Sequence, residues 1–249
     1  TTNQNKEEVA REMAKYDFLA IPVVDHEKRL VGIVTFDDAI DVIEEATTED
    51  IEKMAALVPS DKPYLKTGIL EIWKNRIPWL LMLMVSATFT GQIIKSFESA
   101  LAGSVILTAF IPMLMDTGGN AGSQSSVTII RGMALNEISM KNILVIIWKE
   151  LRVSLLCGIA LAAANFIKIL LVDNLIFKNN ISMTVAAVVC ITLVMVVFVA
   201  KIIGSSLPIL AKRLGFDPAV MASPFITTIV DAISLLVYFN IAKIMIENL

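Results

Sequence analysis

The chain has 249 residues, of which 56% are hydrophobic and only 18% charged, and its mean hydropathy is +0.72. Soluble domains carry about 25% charged residues, so this composition excludes an ordinary soluble protein and points to the membrane. The net charge of -3 is split between an acidic head, with 10 basic and 16 acidic side chains in residues 1–76, and an apolar body, with 11 basic and 8 acidic in residues 77–249. One histidine, His26, and two cysteines, Cys157 and Cys190, exclude a His/Cys metal cluster. Both cysteines lie in apolar runs and read as small buried hydrophobes. No nucleic-acid partner is expected. The chain opens on Thr1 with no signal peptide and reads as a piece whose true N-terminus is missing.

The head comes first, as residues 1–46. Lys6 to Tyr16 has Val9, Met13 and Tyr16 at helical spacing, Phe18 to Val24 and Leu30 to Thr35 read as strands, and Asp25-His26-Glu27-Lys28 makes the turn between them. Phe36 to Glu45 returns to helix, with Ala39, Ile40 and Ile43 on its apolar side. This small α/β run is too short to hold a good core alone and reads as part of a larger domain. Residues 47–76 form a connector. Thr48 is a candidate helix start with Ile51, Met54, Ala55 and Val58 as the apolar stripe, and Pro59 and Pro63 end it. Leu65 to Arg76 then reads as a short amphipathic helix along the membrane surface.

Residues 77–249 form the membrane body. A span needs about 20 mostly apolar residues, which places five, at 77–97, 100–130, 142–172, 181–211 and 218–247. The fold class is therefore mainly α: a five-helix transmembrane domain preceded by a small α/β fragment and an amphipathic connecting helix. Lys66, Lys74 and Arg76 precede the first span. The region of the second and third spans carries Arg131, Lys141, Lys149 and Arg152, and Lys212 and Arg213 follow the fourth. The opposite loops hold only Lys95 and Lys178, beside Glu98 and Asp173. Positive loops stay inside, so the N-terminus is expected to be cytosolic in the cell membrane, with lipid around the body.

Asp231 lies near the middle of the fifth span with no basic i±4 partner in that span. A carboxyl at that depth costs several kcal/mol unless it meets water, an ion or a partner. It is either a pore-lining carboxylate, with Thr227, Thr228 and Ser234 near the same face, or a protonated acid bonded to a neighbouring helix. The second span carries Asp116-Thr117-Gly118-Gly119-Asn120-Ala121-Gly122-Ser123-Gln124-Ser125-Ser126 inside an apolar passage. Either the backbone is interrupted there and offers carbonyls to a hard cation, or the small residues serve close helix packing. Asp217 before Pro218 is an N-cap, a carboxylate at the pore mouth, or both. In the head, Asp37, Asp38, Asp41, Glu44, Glu45 and Glu49 form an acidic tract, with Asp37, Asp41, Glu44 and Glu45 on one helical face. That face is either solvated or bridged by divalent cations to another acidic surface. Oxygen ligands without clustered soft ones suit Mg2+, Ca2+ or Mn2+, and few carboxylates at depth favour an ion that keeps its waters, as Mg2+ does.

The run Pro112-x-x-x-Asp116-Thr117-Gly118-Gly119-Asn120-Ala121-Gly122-Ser123-Gln124, followed by Arg131-Gly132, resembles the hallmark of MgtE magnesium channels. Phe216-Asp217-Pro218-Ala219, with Asp231 after it, is similar to that family's last helix, and residues 1–46 resemble the later part of a CBS domain. The resemblance implies a homodimer with five helices per subunit and a pore on the two-fold axis, lined by spans 2 and 5. Its lining would include Asp116, Gly118, Gly119, Asn120, Ser223, Thr227 and Thr228. Asp231 and Asp217 would be the Mg2+ positions, at the pore centre and near the cytosolic entrance. Mg2+ on the acidic tract of the head would hold the channel shut. By the same resemblance the chain lacks the family's N-terminal acidic domain and first CBS module. A passive Mg2+-selective, Mg2+-gated channel is thus expected rather than an enzyme, with a cation-coupled secondary transporter as the alternative.

Overall fold

The computed structural model describes residues 1–60, 62–98 and 105–246, with every side chain among them except those of Met140 and Ser223. Two compact units emerge, one of residues 1–53 and 58–75, the other of residues 54–57 and 76–249.

The first unit contains helix α1 (Lys6–Tyr16), strands β1 (Ala20–Val24) and β2 (Leu30–Thr35), and helix α2 (Phe36–Met54). Asn5 caps α1 by accepting from the Glu7 N–H at 2.8 Å, Glu7 and Glu8 favour its positive end, and Asp17 closes it in the left-handed region. The strands pair antiparallel, Ala20 opposite Thr35 and Val23 opposite Gly32. Their turn is built by Asp25, whose Oδ1 accepts from the Glu27 and Arg29 N–H groups at 2.9 Å. The Arg29 N–H leads the contacts that hold the Asp25 carboxyl below its usual range. Ala10, Met13 and Ala39 form a small core, flanked by Val9, Ile21, Val34 and Val42.

Two boundaries differ from expectation. Helix α2 does not end at Glu45 but runs on through Thr47 and Thr48 to Met54. The Thr47 hydroxyl donates to the Ile43 carbonyl at 2.7 Å, so it is satisfied inside the helix and Thr48 starts nothing. Nor are the surface helix and the first span separate. After a 3-10 turn at Tyr64–Lys66, a single helix α3 covers Ile69–Ser96 and passes through Pro78. One missing backbone donor does not stop a helix whose hydrophobic run continues on both sides.

In the second unit a 3-10 segment, Val105–Phe110, leads into α4 (Ile111–Ala134). Residues 100–104 of the expected second span lie outside the described residues. Helix α5 (Ile143–Lys168) continues as a π-helical stretch, Ile169–Ile176, where Lys168 pairs with Asp173 at 2.9 Å. Lys149 and Arg152 sit inside the first turns of α5 rather than in a loop. Helix α6 (Met183–Arg213) packs against α4, α5 and α7 (Ser223–Met245). The segments Ile69–Ser96, Ile143–Ile176, Met183–Arg213 and Pro218–Met245 are long and apolar enough to cross a membrane. Helix α4 has the length, but its glycines, serines and Asn120 lower its hydropathy. It buries more than half of its residues and is the interior helix of this bundle.

The bundle closes through small residues. Gly122 of α4 and Gly204 of α6 meet backbone to backbone: a Cβ on Gly204 would run into the Gly122 carbonyl. Above this contact Leu107, Phe110, Leu114, Val189, Leu235, Tyr238 and Phe239 interlock, and the Tyr238 hydroxyl donates to the Leu107 carbonyl at 3.0 Å. Phe97, just beyond α3, stacks on Phe239 with centroids 4.7 Å apart. We expect Gly204→Val to destabilise the protein by about 3 kcal/mol, read as a lowered melting temperature in detergent, with Gly91→Ala, where a Cβ meets nothing within 4 Å, near neutral.

Candidate functional site

Helical phase divides α4 into two working faces. Pro112, Met115, Asp116, Gly119 and Asn120 recur at three- and four-residue steps and share one side. Thr227 and Asp231, four apart on α7, face them. Together with Ile111 these residues line a cleft of about 450 Å³. Asp116 and Asn120 are exposed in it, and Asp231 and Thr227 are half-buried. Gly119 is the hinge of the arrangement. A Cβ there would lie 3.0 Å from Thr227 Cγ2, so its absence lets α7 approach at Thr227, and it would meet Asp231 Oδ1 at an ordinary 3.6 Å.

The chemistry of the lining is simple: two carboxylates, an amide and a hydroxyl, with no lysine or arginine among them. No basic side chain pairs with Asp116 or Asp231 among the described residues. Two like charges sharing a low-dielectric cleft repel, and a cation between them relieves that cost. Three His, Cys, Asp or Glu side chains do not converge anywhere among the described residues. An ion here would therefore meet few protein ligands and keep most of its water. Six waters occupy roughly 180 Å³ at about 30 Å³ each, well within the cleft.

The other expected site residues fall elsewhere. Gly118 faces away from the cleft: a Cβ on it would strike Val196, Val230 and the Ser234 hydroxyl, so it serves packing, and Ser234 is buried with it. Thr228, one residue and about 100° round α7 from Thr227, lines a separate apolar cavity with Phe89 and Phe225. The Ser223 side chain lies outside the described residues. Asp217 caps the 3-10 turn Pro218–Met221 by accepting from the Ala219 N–H at 2.9 Å, and it is not part of the cleft. The interrupted backbone expected in the second span is absent, since α4 is one continuous helix. Its glycines are split between packing (Gly118, Gly122) and the cleft (Gly119), so the packing reading of the motif is the one the backbone agrees with.

On α2, Asp37, Asp38, Asp41, Glu44, Glu45 and Glu49 are exposed. Asp38 reaches back to the Thr35 hydroxyl at 2.7 Å and the Thr35 N–H at 3.2 Å, a capping arrangement. Glu45 pairs with Lys6 at 2.9 Å and Glu49 with Lys53 at 2.6 Å. Asp37, Asp41 and Glu44 are exposed along the same helix.

Sequence reasoning missed Lys201 and Glu150. Lys201 is a lone cation inside the apolar α6 and is 6% exposed. The rule that singles out Asp231, a charge at membrane depth, applies to it equally.

Long apolar helices around a glycine-packed interior helix define a multi-pass membrane protein, with a cleft on that helix that gathers Asp116, Asn120, Thr227 and Asp231. The sequence profile of the MgtE family, described as divalent cation transporters, matches residues 111–241, and that of the CBS domain matches residues 1–45. The chain belongs to the MgtE family. It is 39% identical to the magnesium transporter MgtE of Thermus thermophilus over 99% of this chain and 53% of that protein. With the magnesium transporter MgtE of Bacillus subtilis the identity is 37%, over 99% and 52%, and with that of Enterococcus faecalis 35%, over 96% and 51%. The chain thus spans about half the length of these relatives.

An aqueous cleft has a direct chemical signature. In a protein with Cys157 and Cys190 replaced by alanine, Asn120→Cys should react with a charged, membrane-impermeant thiol reagent. Ser126→Cys, at a position with 0% exposure, should react far more slowly. Equal rates would show that the Asn120 face is not wet.

Proposed function

We propose that this chain conducts Mg2+ across the membrane through the cleft between α4 and α7, as a passive, cation-selective path. The observation that carries the reading is the pair of carboxylates, Asp116 and Asp231, that line one cleft with the Asn120 amide and the Thr227 hydroxyl and no basic side chain. Hard oxygen ligands suit Mg2+, and Mg2+ sheds its waters reluctantly. A site with two carboxylates and room for a hydration shell therefore matches an ion that passes largely hydrated. The three relatives above carry the name magnesium transporter, which agrees with this substrate.

The working unit in this reading is a homodimer. The cleft is lined on one side by α4 and α7 of a single copy, and a second copy related by a two-fold axis would supply the other wall. Asp217, at the start of the last span, would attract cations to the inner mouth. The head would be cytosolic: Arg131, Lys212 and Arg213 lie in the last turns of α4 and α6, with Lys141 in the connection after α4, and Lys178 lies at the other end of the bundle. Mg2+ bound along the α2 face that carries Asp37, Asp41, Glu44, Glu45 and Glu49 would join that face to another acidic surface and close the path. Its loss would let like charges drive the surfaces apart.

The central test is Mg2+ uptake in transport-deficient cells. Asp231→Ala and Asp231→Asn should both reduce uptake to near background at normal expression, and unimpaired uptake by Asp231→Ala would remove the site. Flux that instead required a counter-ion gradient would identify a coupled transporter. A second measurement addresses regulation. Raising Mg2+ on the side of the head should slow flux in vesicles, and combined replacement of Asp37, Asp41 and Glu44 by their amides should weaken that inhibition.

A further inference from the structure

Ser125 of α4, Glu150 of α5 and Lys201 of α6 meet inside the bundle, away from the cleft. The Ser125 hydroxyl donates to Glu150 Oε2 at 2.6 Å. Lys201, which has only donors, gives one N–H to Ser125 Oγ at 3.3 Å and lies 3.9 Å from Glu150 Oε2. Ser125 is 2% and Lys201 6% exposed. Lys201 stands twelve residues before the end of α6, about 18 Å into the helix at 1.5 Å per residue. A lone charge at that depth is costly, and Glu150 supplies the compensating one.

Placement makes the cluster more than a neutralised pair. Gly122 and Ser125 are three apart on α4, and Gly204 and Lys201 are three apart on α6. The helices α4 and α6 run parallel, with Gly118 beside Val196 and Gly122 beside Ala200 and Gly204, so Lys201, one turn before Gly204, reaches Ser125, one turn after Gly122, and ties the two helices diagonally across the glycine contact. The glycine contact sets how close the helices come. Small apolar faces can slide along each other, whereas the Lys201–Ser125–Glu150 chain is satisfied at one axial offset. A slide of one residue moves α4 by about 1.5 Å, and the opposite face of that stretch carries Asp116, Gly119 and Asn120. Gly119 faces Thr227, where an added Cβ would lie 3.0 Å from Thr227 Cγ2.

We propose that Ser125, Glu150 and Lys201 are positioning residues that fix the axial register of α4, and through it the two carboxylates of the cleft. None of the three lines the cleft. The link to ion passage rests on the Mg2+ reading; the register itself does not.

A disulfide reads the register. A Cβ at position 119 lies 3.3 Å from Thr227 Cβ, close to the spacing a disulfide needs. In membranes containing the full chain with Cys157 and Cys190 replaced by alanine, Gly119→Cys with Thr227→Cys should cross-link on mild oxidation, measured by mass spectrometry of the linked peptide. K201M and E150Q should each lower the yield severalfold. Because a single change leaves a buried charge unpaired and can unfold the protein, the double variant K201M/E150Q decides. With no charge left, its melting temperature should recover, but its cross-linking should stay low. Recovery of both, or yields in all variants equal to the parent, would overturn the positioning role.

The flux arm uses vesicles of the chain without engineered cysteines. There K201M/E150Q should raise the half-saturating Mg2+ concentration severalfold, and an unchanged value beside a lowered cross-link yield would break the link between register and ion passage. Absence of Mg2+ flux in the parent chain would overturn the Mg2+ reading alone and leave the cross-link result to decide the register.

Discussion

The contact on which this molecule depends is the meeting of two peptide backbones at Gly122 and Gly204. Helices in lipid gain little from hiding apolar side chains from one another, because the surrounding tails are as apolar as they are. Their association rests on close approach, and close approach needs positions without side chains. α4 supplies them at Gly118 and Gly122, against Val196 and Val230 and against the backbones of α6. Because α4 sinks this far into the bundle, its Gly118, Gly122, Ser125 and Ser126 are covered by protein.

The same geometry divides labour around one helix. The side of α4 at Gly118, Gly122, Ser125 and Ser126 is buried in protein, and the side at Asp116, Gly119 and Asn120 opens to the cleft. Adjacent glycines thereby hold different functions. Gly118 admits the flanks of α6 and α7, and Gly119 admits Thr227 of α7 beside the cleft. The buried ionic cluster on the packing side and the bare carboxylates on the cleft side also contrast in chemistry. Glu150 has a lysine and a hydroxyl in reach, whereas Asp116 and Asp231 share their cleft with Asn120, Thr227 and the apolar Ile111, Pro112 and Met115.

Much of this was legible in the residues. The period of Val9, Met13 and Tyr16 marked α1 at its observed limits, and the alternation around the Asp25 turn marked both strands. Asp116, Gly119, Asn120, Thr227 and Asp231 were all named from sequence and do come together. What was hidden depends on neighbours. Whether Gly118 or Gly119 faces the cleft follows from the rotation of α4 against α6 and α7, which no local spacing reveals, and the same holds for Thr227 against Thr228. Helix boundaries at Thr48 and Pro78 were misplaced because polar residues and a proline are weak stops when both flanks favour helix. Lys201 carried a readable signal, but its partner Glu150 lies 51 positions away on another helix.

Glycine has a further consequence in this protein, for the variation it can absorb over generations. Every nucleotide change that replaces a glycine adds at least one carbon, so there is no smaller alternative to try. At Gly118, Gly122 and Gly204 that carbon meets packed atoms at once, while at Gly32, Gly68 and Gly91 it meets open space. One residue type is thus divided into codons frozen by contact and codons free to drift, and the frozen ones trace the seam along which α4 is held.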